Sequence, residues 1–294
     1  MFNHLLGFSF LRNRATDFLA AIGLVIVPVG ALQAQPAPAA QTDAGAPTYA
    51  DLAALANSSE LVVRAEIRRQ ATVEPERAPG LAPRYVRLYV TARTQALVTG
   101  TVPVGEELNF LADVPLNEKG KVPRLKRLEV LLFANSVPGR AGAIQLVAPS
   151  GMLQYSPDLD ARLRPILSEL ASGSAPPPVT GVRDAFSVRG NLAGESETQI
   201  FLNTEGAVPA SISVLRRPGR SPVWGVSWGE IIDAAARPPE PNSIGWYRLA
   251  CSLPEQLPAS ALYSDDASAR RQAAADYVLV KQSLGPCPRN LPEL

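Results

Sequence analysis

Five short β-like runs between positions 61 and 148 constrain the fold more than any other feature of this sequence. They lie at residues 61–68, 85–92, 107–112, 128–133 and 144–148. Most of them alternate apolar and polar residues with a period of two, which is typical of a strand buried on one face. Glycine and proline turn residues separate the runs. The pattern predicts a small five-stranded β-barrel, closed or nearly closed, because closure removes exposed strand edges.

Two helices are predicted to flank the barrel. The first follows Thr48, which is expected to form a capping box with Asp51. The second follows Ser156, a good N-cap, and carries one apolar stripe at helical spacing. Pro165 is expected to kink or shorten this second helix. These elements predict a barrel domain with flanking helices at residues 48–170.

A proline-rich linker at residues 171–179 separates this domain from a second one. Three consecutive prolines in it forbid helix and disfavour a central strand. Residues 180–294 are predicted to form an α+β domain, in which an antiparallel sheet precedes C-terminal helices. Its strands are expected near residues 182–188, 197–202, 210–216 and 222–226, and its helices near 229–236, 243–253 and 266–284.

Residues 1–34 are predicted to be a secretory signal peptide. Arg12 and Arg14 supply its positive end, and an apolar stretch leads to small residues at a cleavage site near Ala34. Retention of this segment as an uncleaved anchor is the alternative. The Pro/Ala-rich residues 35–47 are predicted to form a disordered tether. Export predicts a periplasmic or secreted protein.

The predicted mature chain is neutral and has no histidine. Loss of Arg12, Arg14 and Asp17 with the signal peptide leaves equal numbers of acidic and basic residues. The mature chain then has no net charge whose electrostatic field would attract nucleic acid or an anionic membrane. The single histidine, His4, is removed as well, which excludes most triad hydrolases, histidine-ligated metal sites and histidine general bases. We therefore expect no metal, no cofactor and no integral membrane span after cleavage.

The two cysteines, Cys251 and Cys287, lie on the predicted exported part of the chain. Two cysteines in an oxidising compartment most often pair, and the mature chain has no histidine with which they would complete a zinc site. A disulfide is therefore predicted. It would close a loop of about 36 residues and contribute about 4 kcal/mol on the chain-entropy account.

The segment Gly225–Gly229 has the G-x-S-x-G spacing of a nucleophile elbow. A serine at that position needs a histidine to accept its proton, and none follows Ser227 in the chain. We interpret Ser227 instead as a helix cap that forms a capping box with Glu230.

Four residues are candidates for ligand binding. Glu195 and Glu197 lie two positions apart at a strand entrance, and paired carboxylates suit ligand contact or acid–base chemistry. Trp228 and Trp246 belong to an aromatic-rich part of the second domain. A partly exposed tryptophan there would mark a contact surface.

Five phrases resemble an uncharacterised family of exported proteins of Gram-negative bacteria. They are LVVRAEIR (61–68), VLLFA (130–134), GESETQIFL (194–202), WGVSWGEI (224–231) and WYRLACSLP (246–254). This resemblance covers nearly all of residues 48–288 and implies no activity. The first domain also resembles barrel modules of the OB or netrin-like type, where an LVVRAEI-like strand precedes one that ends in Leu-x-x-Gly, here residues 97–100. The resemblance implies an OB-like barrel.

The basic clusters at residues 119–127 and 216–220 are interpreted as solvated loops of a neutral protein, so no nucleic-acid partner is expected. With the usual catalytic groups excluded, the sequence favours a non-catalytic exported protein that binds a protein or a cell-envelope component. Two alternatives remain open. One is a hydrolase that acts through Glu195 and Glu197, and the other is a protease-inhibitor-like module.

Overall fold

Two antiparallel sheets organise the protein in a computed structural model that describes residues 45–229 and 236–292. The described residues all belong to one compact unit. The predicted signal peptide lies outside the described residues, as does the predicted tether up to residue 44. Most of the helix predicted at 229–236 also lies outside them.

Sheet A contains six strands. They are β1 (Leu61–Thr72), β2 (Tyr85–Gly100), β3 (Glu107–Pro115), β4 (Glu129–Ser136), β5 (Ile144–Leu146) and β6 (Met152–Gln154). The order is β3-β2-β1-β4-β5, with β6 paired to β4. The five predicted runs are thus confirmed as strands, and the short β6 is an addition that the sequence pattern did not indicate.

The alternation in β1 places one set of side chains in the core. Leu61, Val63 and Ala65 are at most 1% exposed, whereas Arg64 is only half-buried. The same period gives β2 and β3 an inner row of apolar side chains. This core consists of Leu61, Val63, Ala65, Ile67, Leu88, Val90, Ala92, Leu108, Phe110, Ala112, Val114, Leu125, Val130, Leu132, Ala134 and Ile144.

Sheet A curls on itself but does not form a closed barrel within the described residues. A single parallel bridge, Asn109 to Ala143, joins β3 to the chain just before β5. The Asn109 N–H donates to the Gly142 carbonyl at 2.8 Å. Gly142 has a φ of +75°, and a Cβ there would lie 2.9 Å from the Glu107 carbonyl oxygen. Only glycine permits this close approach of the two sheet ends.

Two helices cover the outer face of β1 and β4. They are α1 (Tyr49–Ser58) and α2 (Pro157–Ala171). The predicted capping box of Thr48 and the predicted Ser156 cap are both confirmed. Pro165 lies inside α2, so the helix is not shortened there. Apolar side chains of both helices pack with the outer face of β1 and β4, including Leu52, Leu55, Val62, Leu131, Phe133, Leu163 and Ile166.

Sheet B has the order β10-β9-β8-β7. Its strands are β7 (Val179–Arg189), β8 (Ser196–Thr204), β9 (Ser211–Arg216) and β10 (Val223–Ser227). Two helices, α3 (Ile244–Ala250) and α4 (Ala267–Leu284), pack on one face of it. The sequence therefore correctly predicted an antiparallel sheet followed by C-terminal helices.

The Cys251–Cys287 disulfide is present, which confirms the predicted pairing. It fixes the chain that follows α4, and this tail runs back to the start of α1. The backbone N–H of Asn290 donates to Asp51 Oδ2 at 2.9 Å. The Thr48 hydroxyl donates to the Pro288 carbonyl at 2.8 Å. The two ends of the folded region are thereby tied together.

No helix within residues 45–229 and 236–292 is both long enough and apolar enough to cross a membrane.

Candidate functional site

A cleft with a positively charged lining lies on the outer face of sheet A, beside the loop that precedes β4. Its volume is about 500 Å³. Four cations and no carboxylate line it. We call it the basic cleft, and its lining residues are Arg68, Arg69, Gln70, Ala71, Tyr89, Thr91, Arg124 and Lys126.

An irregularity in β1 supplies two of these cations. The pairing register with β2 shifts between Ile67 and Arg69, so that Arg68 is an extra residue on β1. A bulge of this kind redirects side chains and breaks strict alternation. Both Arg68 and Arg69 are consequently exposed, although they are neighbours in a strand.

Gln70 holds the loop that supplies the other two cations. Its Nε2 donates to the Pro123 carbonyl at 2.8 Å, and its Oε1 accepts from the Leu125 N–H at 2.6 Å. Leu125 is 9% exposed and packs in the core of sheet A. The flanking Arg124 and Lys126 are therefore exposed at fixed positions beside β1.

Replacing Gln70 with alanine is expected to loosen this loop. The Leu125 N–H and the Pro123 carbonyl would lose their partners, at a cost of about 1 kcal/mol because the site is only partly buried. Hydrogen exchange at the Leu125 amide should become faster, and urea unfolding should report the loss of stability. The matched control is Gln95→Ala, which removes one exposed hydrogen bond to Glu129 and should leave Leu125 unchanged. Equal protection of Leu125 in both variants would contradict the role given to Gln70.

The charges around the basic cleft are unequally neutralised. Arg68 donates to Glu66 at 2.7 Å, and Arg69 lies 3.9 Å from Glu107 in a highly exposed pair. Arg124 and Lys126 form no salt bridge with any described residue. An adjoining cleft of about 640 Å³ is mixed in charge, because carboxylates line it together with five cations. The basic cleft is thus the part of this surface that suits an anion.

An apolar and aromatic surface continues from the basic cleft across β2 and β3. Tyr89 and Leu111 lie directly opposite each other and are 48% and 50% exposed. Next to them, Arg87 and Asp113 form a bidentate pair with two 2.7 Å hydrogen bonds. The hydrogen bonds to Asp113 raise the pKa of the Arg87 guanidinium above its usual range. Arg87 is therefore already partnered, unlike Arg124.

In a second charged cluster on sheet A, the charges are paired within the cluster. The Arg64 guanidinium lies 3.8 Å from the centre of the Tyr155 ring and donates to Glu129 at 2.6 Å. Hydrogen bonds from Arg64 and then from Gln95 lower the pKa of the Glu129 carboxyl. With its charge neutralised in this way, the cluster is a structural feature rather than a ligand site.

The two candidate glutamates lie together in a cleft of about 230 Å³ on sheet B. Glu195 is half-buried in the β7–β8 turn, where its carboxylate accepts from the Leu192 N–H at 3.2 Å. Glu197 is exposed and accepts from the Gln199 side chain at 2.7 Å. Three arginines share the lining with them, and no third carboxylate does. This arrangement supplies solvated charges and no enclosed acid pair.

The two candidate tryptophans pack in the core of sheet B. Trp246 is 7% exposed, and its indole N–H donates to the Leu284 carbonyl at 2.9 Å. Its ring meets Tyr49 edge-on, with 6.0 Å between the ring centres. Trp228 is half-buried against the same core. The described structure gives both side chains a packing role.

Ser227 is buried at the end of β10, opposite Ser211 in the pairing register. Glu230, the second residue of the capping box predicted for it, lies outside the described residues.

In the described part of the chain, no group of three or more histidine, cysteine, aspartate or glutamate side chains is placed to hold a metal ion. Comparison with protein-family models and with curated proteins finds no match to this chain.

The basic cleft was missed by sequence reasoning because its residues come from separate segments. The basic character of residues 119–127 was visible, but it was interpreted as a solvated loop. One local signal did exist, since Arg68-Arg69-Gln70 interrupts the alternation of β1 with three consecutive polar residues. Such an interruption is what a bulge produces.

Proposed function

We propose that the protein is a non-catalytic binding protein and that its basic cleft takes an anionic group of a protein or cell-envelope component. The observation that carries this proposal is that Arg124 and Lys126 line one cleft with Arg68 and Arg69, with no carboxylate in the lining. Gln70 fixes the backbone of the loop, so little backbone freedom is lost when an anion binds. Exposed Tyr89 adds apolar contact area beside the charges.

The same proposal includes export to the periplasm or beyond, after removal of residues 1–34. The Cys251–Cys287 disulfide supports an oxidising compartment, because such bonds are rare where thiols are kept reduced.

We also propose that sheet A is an OB-like barrel held slightly open. Its support is the strand order β3-β2-β1-β4-β5 together with the bridge between Asn109 and Ala143. Ligands of OB-type barrels bind on the face of strands 2 and 3, which here carries Tyr89.

A carboxylate-dependent hydrolase is the second candidate, because Glu195 and Glu197 line one cleft. Glu197 is exposed, and arginines surround both carboxylates. The cleft brings no third carboxylate to the pair, so the geometry favours the binding protein.

Reversing two charges in the basic cleft is expected to weaken the binding of an acidic peptide. The probe is fluorescein-labelled octaglutamate, and its affinity is measured by fluorescence anisotropy at low and moderate salt. The double variant Arg124→Glu/Lys126→Glu should bind about tenfold more weakly or worse, because it turns attraction into repulsion at the site. The salt dependence of the remaining binding should become smaller as well.

The matched control is Arg217→Glu/Arg220→Glu in the β9–β10 hairpin. It changes the net charge by the same amount at two exposed arginines that lie outside the basic cleft. This control should retain most of the affinity of the unmodified protein. An equal loss in both double variants would show that only overall charge matters, and absence of any binding to the unmodified protein would reject the proposed function.

A further inference from the structure

A second cleft on sheet A adjoins the basic cleft and differs from it in chemistry. Its volume is about 960 Å³, and its lining runs from the end of β1 across β2 and β3 to β5. We call it the polar groove, and its polar lining includes Glu74, Arg77, Asn109, Asp113, Arg140 and Gln145. We propose that the polar groove and the basic cleft together bind an oligosaccharide that carries an acidic group at one end. This inference rests on the proposed function and narrows its ligand to a sugar chain of the cell envelope.

The charges that line the polar groove are nearly balanced. Arg77, Arg87 and Arg140 are its cations, and Glu74 and Asp113 are its carboxylates. Arg87 and Asp113 neutralise each other through two hydrogen bonds of 2.7 Å. A ligand with negative charge along its whole length would bring like charge to these carboxylates. The polar groove therefore suits a chain whose bound part is polar but uncharged.

The other charged side chains of the polar groove are available to a ligand. Arg77, Arg140 and Glu74 are exposed and form no salt bridge with any residue that the structure describes. Their side chains form no hydrogen bond within that part of the chain either. A guanidinium only donates and an ionised carboxylate only accepts. The groove therefore offers both kinds of partner.

Two side-chain amides add uncharged groups to the lining. Gln145 is exposed, and its amide forms no hydrogen bond with any described residue. The Thr91 hydroxyl donates to Asn109 Oδ1 at 2.9 Å, which leaves Asn109 Nδ2 without an acceptor in the described structure. An amide holds a donor and an acceptor side by side, and a hydroxyl both donates and accepts. Neighbouring hydroxyls of a sugar ring match this combination without any net charge.

Exposed apolar side chains lie among these polar groups. Tyr89 and Leu111 are directly opposite each other on β2 and β3, and both line the polar groove. They are 48% and 50% exposed. A sugar ring presents C–H groups on its faces as well as hydroxyls at its edge, and an aromatic ring supplies a large apolar surface for such a face. The polar groove thus offers a contact for both parts of a sugar.

Tyr89 also lines the basic cleft, so the two clefts share a wall. A sugar chain that passes from the polar groove over Tyr89 arrives beside Arg69 and Lys126. No carboxylate lines the basic cleft, so an acidic group at that end of the chain meets cations alone. This change in charge between the two clefts is why we place the acid at one end. It also favours an oligosaccharide over a nucleic acid, whose phosphates recur along the whole chain.

The test compares hexasaccharides that differ only in one terminal charge. Cellohexaose, maltohexaose and mannohexaose are each oxidised at the reducing end to the aldonic acid, or reduced there to the alditol. Isothermal titration calorimetry at low salt measures their affinity for the purified protein. At least one acid should bind about tenfold more tightly than its own alditol, because only the acid pairs with the cations. The same acid should bind about tenfold more tightly than gluconate, which has the charge but no sugar chain.

Two variants test the protein side. Gln145→Ala removes an exposed amide and should weaken the binding of the best acid about threefold. Tyr89→Ala removes the aromatic ring and should weaken it about tenfold. Gln145 does not line the basic cleft, so Gln145→Ala should leave the affinity for octaglutamate unchanged.

Each variant has a matched control outside both clefts. Gln282→Ala removes an exposed amide on α4, and Tyr263→Ala removes a tyrosine that is 74% exposed. Both controls should bind the acid and octaglutamate like the unmodified protein. If Gln145→Ala weakens the acid no more than Gln282→Ala does, or weakens octaglutamate to the same extent, the polar groove is not the site of the sugar chain.

The outcomes separate this inference from the proposed function. If octaglutamate binds and no aldonic acid binds more tightly than gluconate, the inference is overturned and the basic cleft remains the site of an anion. Equal affinity of every acid and its alditol would overturn the placement of the acidic group in the basic cleft. Tighter binding of octathymidylate than of any acid would identify a nucleic acid as the occupant and overturn the inference. Failure of octaglutamate and of all the acids would overturn both proposals.

Discussion

Replacing Asp276 with alanine is expected to lower the free energy of unfolding by about 3 kcal/mol. Asp276 lies on α4 with no exposed surface, and its carboxylate faces sheet B. It accepts from Arg216 Nε at 2.6 Å, from the Thr198 hydroxyl at 2.5 Å and from the Gln272 side chain at 3.1 Å. Removal of the carboxylate leaves these donors without their acceptor and breaks the polar link between α4 and β8.

The loss of unfolding free energy depends on whether Arg216, the remaining partner, can be solvated after the substitution. The Arg216 side chain is 29% exposed, so its guanidinium can turn to water after the substitution. We therefore place the cost at the lower end of the range for breaking a buried ion pair. Asp276→Asn should fall between the alanine variant and the unmodified protein, because the amide oxygen can still accept from Thr198.

Urea unfolding measures this difference, with Asp158→Ala as the control. Asp158 is 82% exposed and lies 3.9 Å from Arg162 on α2. An exposed pair of this kind is worth about 0.5 kcal/mol or less. If both alanine variants lose the same small amount of stability, the cluster around Asp276 does not anchor α4.

Replacing both cysteines with serine is expected to destabilise the protein by about 4 kcal/mol. The Cys251–Cys287 bond closes a loop across a sequence separation of 36 residues, and its loss increases the entropy of the unfolded chain. Loss of the disulfide should also change the contacts of the C-terminal tail. Without the bond, the tail that carries Pro288 and Asn290 is released from α4, so its contacts with α1 should weaken.

Urea unfolding of the unmodified protein with and without reductant checks this expectation. Reductant should bring the unmodified protein close to the Cys251→Ser/Cys287→Ser variant and should not change that variant further. Hydrogen exchange should also show faster exchange at the Asn290 amide, which donates to Asp51 in the oxidised protein. Equal unfolding midpoints under oxidising and reducing conditions would contradict the stabilising role of the disulfide.

Much of the secondary structure was predictable because it depends on neighbouring residues. The Thr48–Asp51 capping box spans three residues, and the Ser156 cap acts on Leu159. The alternation in β1 fixed which face is buried, since a strand has a period of two. A shortening of α2 at Pro165 was predicted from local rules as one of two outcomes, but the helix continues through it with its apolar side packed on sheet A. A kink at Pro165 stays a prediction.

The candidate site could not be predicted in the same way, because its lining comes from three separate segments of the chain. Arg69 and Lys126 line one cleft only because Gln70 binds the loop and Leu125 enters the core. Trp246 was a candidate contact residue on composition alone, and burial against Leu284 and Tyr49 decided its place.

The sequence by itself determined the β-rich first half, the helix caps and the pairing of Cys251 with Cys287. These follow from short-range periodicity, local hydrogen bonds and the presence of only two cysteines. Only the tertiary structure decided that sheet A does not close into a barrel within the described residues and that exposed cations gather beside Tyr89. The physical reason is that the curvature of a sheet and the convergence of charge depend on contacts between residues far apart in the chain.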